Sequence, residues 1–354
     1  MKLFFKAMSF ALAASAILLF AASCDKNTAE TDTSADTGFE TASSPNAENK
    51  FGDYTIEQNG TGVTLIAYSG AQTDIVIPET AGDAKVTKLG DNLFRNRYAV
   101  KSVSIPDTVT EIGEGAFSGC SVLETLNIPD SVSAVGASAF ADTPWFDSLT
   151  DEFVTVGDGV VIKYNGTDTD VTIPEGVKYI SNLFRYSEVD VTSVTLPEGA
   201  LCIGTRAFAG LKALTTVNFS STVTAISNNA FTLCVGITEM TIPESVTSID
   251  EYAFSHCKNL KTMIIKGQIK TLETATFFDC DSLNSIELPA SLETLKADSL
   301  ASCPALRTLV FTGDLNDINM SAFDSNPGFI VKCPDNSNIE SFCIANNIAV
   351  NPGE

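Results

Sequence analysis

The 354-residue chain has one histidine, one tryptophan and 21 basic side chains against 44 acidic ones, a formal charge of −23. A single histidine leaves no imidazole pair for an acid–base relay or a histidine-rich metal site. The acidic balance repels phosphate backbones and excludes nucleic acid as a partner. None of the nine cysteines stands in a C-x-x-C pair, so the clustered thiolates that a structural zinc needs are missing. Neither a Walker A loop nor a dinucleotide fingerprint occurs, and no cofactor is implied. Asp151, Asp158, Asp168 and Asp170 lie close in sequence but lack the alternating spacing of a calcium loop, and solvating turns is the commoner use of Asp. No apolar run reaches the roughly 20 residues of a spanning helix. The chain reads as not an enzyme, with neither catalytic residues nor metal ligands.

What is there begins with a leader. Lys2 and Lys6 precede an apolar stretch over residues 7–22, broken only by Ser9 and Ser15, which has the form of an export signal spanning residues 1–23. The run Ala21-Ala22-Ser23-Cys24 resembles the lipobox of bacterial lipoproteins, with Ala21 where that pattern has Leu. The resemblance implies a lipidated Cys24 at the mature terminus; cleavage leaving an unmodified thiol is the alternative. Residues 24–50 carry six acids, two lysines and Phe39 as the one large apolar side chain. Such a segment cannot bury enough surface to offset its ordering entropy and reads as a disordered tether.

From Phe51 onward a 23-residue period organises the sequence. Phe94, Phe117 and Phe140 stand 23 apart, as do Phe208, Phe231, Phe254, Phe277, Leu300 and Phe323. Three residues later come Cys120, Cys234, Cys257, Cys280 and Cys303, while strand ends read Ile105-Pro106, Ile128-Pro129, Ile173-Pro174, Leu196-Pro197, Ile242-Pro243 and Leu288-Pro289. Within Leu283-Asn284-Ser285-Ile286-Glu287-Leu288 the apolar residues turn inward with the period of a strand, and Pro289 ends it because proline cannot donate to a ladder. A coil of this kind buries only one flat layer, so stability requires stacking. The expected fold is a single repeat domain of about eleven coils at ~4.8 Å spacing.

The units, each close to C-x-x-L-x-x-V-x-I-P-x-S-V-x-x-I-x-x-x-A-F, resemble the BspA-like leucine-rich repeats of bacterial surface proteins. Gly113-Glu114-Gly115-Ala116-Phe117 and Ala207-Phe208 carry the most recognisable piece. The resemblance covers residues 51–329. It implies a β-rich, right-handed solenoid with a parallel sheet on its concave face, exported or surface-attached, and adhesive in some members.

Both ends and one interior stretch depart from the repeat. Tyr54-Thr55-Ile56 and the strand beginning at Val63 flank Asn59-Gly60, predicting a hairpin that caps the first coil. Residues 142–174 form an irregular insertion, in which Thr143-Pro144-Trp145-Phe146 precedes a second hairpin turning at Gly157-Asp158-Gly159; similar segments recur in BspA-like proteins. Residues 330–354 form a closing cap, with Ser337-Asn338-Ile339-Glu340 spaced as a capping box. The repeat cysteines read as buried free thiols. Cys333 and Cys343 are placed so that a bridge and two free thiols are both open.

Binding is then left to the outer surface. The first outward strand position mixes Lys101, Glu124, Lys261, Asn284 and Arg307. The second carries Ser102, Thr125, Ser193, Thr216, Thr262, Ser285 and Thr308, with Glu239 the exception. Small and β-branched polar residues suit any exposed strand, yet the same ladder offers a long polar groove. The candidate ligand-contacting residues are Lys101, Glu124, Trp145, Glu239, Lys261 and Arg307. The expected protein is a monomeric, lipid-anchored binding protein on the outer face of a bacterial membrane, taking a protein or glycan ligand. An envelope docking module and, less well supported, a carbohydrate-processing solenoid enzyme are the alternatives.

Overall fold

The computed structural model describes residues 50–60, 62–185 and 187–352. The leader, Cys24 and nearly all of the tether lie outside them. The described residues form two compact units that divide between Leu149 and Thr150, where the sequence reading set one domain with an insertion. Both are parallel-sheet β-solenoids, with about 13 turns of ~23 residues in all.

Each coil contributes two strands to two separate parallel sheets. In the first unit the strands Asp74–Val76, Ser102–Ser104 and Thr125–Asn127 pair in register, with Asp74 opposite Ser102 and Ser102 opposite Thr125. In the second, Asp170–Thr172, Ser193–Thr195 and Thr216–Asn218 form one such sheet. Another runs from Glu239–Ile242 through Thr262–Ile265, Ser285–Leu288, Thr308–Phe311 and Ile330–Cys333 to Ala349–Pro352. Ser-Val-Ser and Thr-Leu-Asn strands bury the middle residue and leave its neighbours outside, the alternation that a one-sided sheet requires. The shorter second strands, such as Thr294–Leu295, form their own ladders.

The inward columns align. Phe94, Phe117 and Phe140 stack with centroids 5.3 and 5.9 Å apart. In the second unit the file is Phe184, Phe208, Phe231, Phe254 and Phe277, where Phe231 and Phe254 are 5.0 Å apart and inclined by 4°. Phe184 sits 24 rather than 23 residues before Phe208, which hid it from the periodic reading; its Leu183-Phe184-Arg185 repeats Leu93-Phe94-Arg95. Every repeat cysteine is buried and free. Its thiol donates to the carbonyl of the phenylalanine one coil earlier, as from Cys257 to Phe231 at 3.2 Å and Cys280 to Phe254 at 3.2 Å. Cys333 and Cys343 are also free and buried.

The turn that leads away from each phenylalanine explains a position the sequence left unaccounted for. Asn96, Leu233, His256, Asp279, Ser302 and Ser325 all have φ near +60°, as does Gly119 at +74°. A second column four residues earlier includes Asn92, Arg206, Asn229, Tyr252 and Ala275. The left-handed residues aim their N–H at the next coil: Asn229 donates to Glu251 O and Leu233 to Ser255 O. Geometry, not side-chain chemistry, is what the column shares.

The two units start alike. Tyr54–Gln58 pairs antiparallel with Val63–Tyr68, and Phe153–Val156 with Val160–Tyr164, each with one register shift. Tyr68 lies 5.1 Å from Phe94 and Tyr164 lies 5.5 Å from Phe184, so each hairpin tyrosine covers the first ring of its file. Gly70 and Gly166 pass directly beneath those tyrosine rings, where a Cβ would collide. The insertion is thus a second starting cap. Before it, the Pro144–Asp147 helix, capped by Thr143, sets Trp145 edge-on against Phe140 at 4.9 Å. Trp145 is half-buried at the end of the first file, packed against Phe140.

The closing cap is a helix over Asn338–Ala345, with Ser337 accepting from Glu340 N and Glu340 accepting from Asn336 N at 2.6 Å. Ile339 and Cys343 are buried beneath it. The ladder outlasts the sequence repeat, since Ile330–Cys333 and Ala349–Pro352 both extend the sheet.

Two outcomes follow. Leu233 is 48 % exposed in a left-handed conformation, so Leu233→Gly relieves backbone strain and removes little packing; urea unfolding should show a gain of about 0.5–1 kcal/mol. Burial pushes the Cys257 and Cys303 thiols up to about 12, above their unfolded value near 8.5. The sign is fixed: this stability is complete below pH ~8.5 and is lost as pH rises toward 12, by about 1.4 kcal/mol per unit for each thiol. The urea midpoint should fall between pH 9 and 11, and less steeply in Cys257→Ala; equal slopes would contradict the assignment.

Candidate binding face

The outward residues of the first-strand sheets make the candidate site. Lys101 and Glu124 are exposed in the first unit, and Glu239, Lys261 and Arg307 in the second. Backbone hydrogen bonds step from Lys261 N to Thr238 O, Asn284 N to Lys261 O and Arg307 N to Asn284 O, so Lys261 and Arg307 share one row two coils apart. Arg307 turns back onto the Pro304 and Leu306 carbonyls, both at 3.0 Å.

The hydroxyl ladder forms in register and begins on an acid in each unit. Asp74 Oδ1 accepts from Ser102 at 2.6 Å, and Asp170 Oδ1 from Ser193 at 2.8 Å. The Ser102 and Thr73 hydroxyls hold the Asp74 carboxyl below the usual carboxylate range, because hydrogen bonds to the charged form favour it. These aspartates close the ladder ends. Asp158 pairs with Lys178 at 2.6 Å instead, and the expected absence of a calcium site rests on the spacing argument alone.

The ladder is interrupted once within the second unit. Strands Thr216–Asn218 and Glu239–Ile242 occupy consecutive coils but belong to different sheets. Elsewhere a first-strand N–H reaches back one coil, as from Thr215 to Thr192 O and Lys261 to Thr238 O; among the described residues no such bond joins Thr238 to Thr215. On the other side of the same coils Ala225 still pairs with Ser248, and Phe231 N still reaches Ala253 O. The coils are therefore hinged together there and splayed on the face.

The splay leaves a cleft of about 340 Å³ lined by Thr215, Thr216, Val217, Glu239, Met240, Thr241, Thr262 and Ile264. Val217 is half-buried, whereas its inward equivalents Val103, Val194, Met240, Met263 and Ile286 are buried. Glu239 and Thr216, both flagged by sequence, meet here; Val217, Thr241 and Ile264 were missed. A signal existed. The strand end reads Phe219-Ser220 where neighbours have Leu196-Pro197 and Ile242-Pro243, and Phe219 is only half-buried.

A separate charged cluster ties neighbouring turns together. His256 Nδ1 lies 2.6 Å from Asp279 Oδ2, which also takes Lys258 at 2.6 Å. Burial raises Asp279, but the bonds from Lys258 and His256 outweigh it and leave the carboxyl below its ordinary range. The cluster joins neighbouring turns.

The repeat region matches the BspA type leucine rich repeat region in six copies, over residues 87–215, 178–281 and 202–330. Among curated proteins no sequence matches. The chain is 22% identical to a leucine rich cell surface protein of Faecalibacterium prausnitzii, covering 79% of this chain and 98% of that one with a TM-score of 0.37. It is 18% identical to a leucine rich repeat protein of T. pallidum, covering 72% and 88% with a TM-score of 0.28. The pneumococcal vaccine antigen PcpA is 13% identical over 85% of this chain and 96% of that one, with a TM-score of 0.25. Scores this low carry no argument, and the repeat match does: the protein belongs to the BspA-type leucine-rich repeat family.

Proposed function

We propose that this is a non-enzymatic binding protein, exported and held at the outer face of a bacterial membrane by lipid on Cys24, that engages a protein or glycan through its first-strand face. One observation carries the reading: an open, hydroxyl-lined sheet face recurs coil after coil. A stacked scaffold presents such a face at fixed spacing, and an extended partner can then meet many weak polar contacts at once. The net charge of −23 keeps the scaffold soluble and favours basic partners. The acidic tether would hold the repeat units clear of the bilayer.

The test is saturable binding of the region from Phe51 onward on glycan and matrix-protein arrays, paired with mass spectrometry of the mature terminus. The expected results are at least one macromolecular ligand and a diacylglyceryl-modified Cys24. Turnover of a polysaccharide with no array ligand would overturn the binding role, and an unmodified Cys24 would end the anchoring claim.

A further inference from the structure

The cleft between the Thr216–Asn218 and Glu239–Ile242 strands has a chemistry narrower than the face around it. Its lining is apolar at Val217, Met240 and Ile264, and polar at the Glu239 carboxylate and the hydroxyls of Thr215, Thr216, Thr241 and Thr262. Glu239 is exposed, and among the described residues its carboxylate meets no hydrogen-bond or ion-pair partner. The Thr241 and Thr262 hydroxyls are likewise uncommitted. The splayed edge adds the Thr215 carbonyl, which among the described residues lacks the ladder donor that the Thr192 and Thr238 carbonyls have.

We propose that this cleft receives an arginine side chain presented by a basic protein partner, with Glu239 as its counter-ion. The inference rests on the binding role above and names the partner chemistry at that face. Guanidinium carries five donors and no acceptor, and its planar fork matches a carboxylate. The cleft offers the complement: a carboxylate, hydroxyl oxygens and a free carbonyl, beside apolar side chains that can hold the methylene stem. At about 340 Å³ it has room for about ten waters or one long side chain, and not for a further strand. No basic side chain lines it, so an anion finds no counter-charge, and no aromatic lines it as a platform for a sugar ring. The surplus of 44 acidic over 21 basic residues draws such a partner in.

The probe is an acetylated, amidated Gly-Ser-Arg repeat peptide, compared with its citrulline counterpart, which keeps the shape and loses the charge. Binding to the full repeat region is measured by calorimetry at 150 mM salt. The arginine peptide should bind and the citrulline peptide should not. Glu239→Gln should weaken binding about tenfold, the effect of losing a charged hydrogen bond, while Glu175→Gln, an exposed carboxylate in the turn after Pro174 and outside the candidate face, should leave it unchanged. Because Glu239 holds nothing in the fold, its variant should melt at the wild-type temperature. Equal weakening by the two variants would reduce the effect to diffuse acidity and overturn the proposal, as would no binding or indifference to Glu239→Gln. If Glu239→Gln still captures its array ligand at full strength, the cleft fails while the surface-binding role stands. If the wild type captures none, the role itself fails.

Discussion

Everything in this protein depends on the contact between one coil and the next. A single coil exposes both sides of its flat apolar layer and holds no core of its own; only a neighbour's phenylalanine, cysteine and strand residues complete it. The rings of Phe231 and Phe254, 5.0 Å apart and nearly parallel, show how closely that neighbour must sit. The cysteine makes the spacing specific, because its thiol is short enough to reach the preceding coil's carbonyl and small enough to leave room for the ring. The left-handed turn residues serve the same contact from the backbone side, trading local strain for an N–H directed along the stack.

Such a scheme leaves its ends uncovered, and much of the irregular sequence answers that. Tyr68 and Tyr164 roof the two aromatic files at their starts, Trp145 covers Phe140, and the Asn338–Ala345 helix lies over the last coils. The stretch that departs furthest from the repeat, with its lone tryptophan and Gly157-Asp158-Gly159 turn, is an end piece of one unit followed by a starting piece of the next.

The columns of phenylalanine, cysteine and Ile-Pro were legible in sequence because each inward position admits few residue types. The hairpins and the capping box were legible because turns and helix starts demand particular residues at fixed offsets. The left-handed columns were not, since Leu233, Tyr252 and His256 are poor advertisements for positive φ and share no side-chain property. Phe184 was hidden by one extra residue in its loop. Glu239 was noticed as an exception in the hydroxyl row, but the cleft around it was not, because only the missing Ile-Pro at Phe219-Ser220 hints at a splayed ladder. Where the scaffold relaxes, on one face of two coils that remain hinged behind, it exposes an acid and open backbone together.

The most direct test is to remove coils. Deleting residues 266–288, one full period, joins Ile265 to Pro289 and returns every inward column to register, whereas deleting residues 277–288 sets a strand against a turn. The first deletion should give a folded protein with a cooperative urea transition and unchanged β-sheet circular dichroism per residue; the second should lose cooperativity. Two equally folded products, or an unfolded full-period deletion, would contradict the claim that register between identical inward columns holds the molecule together.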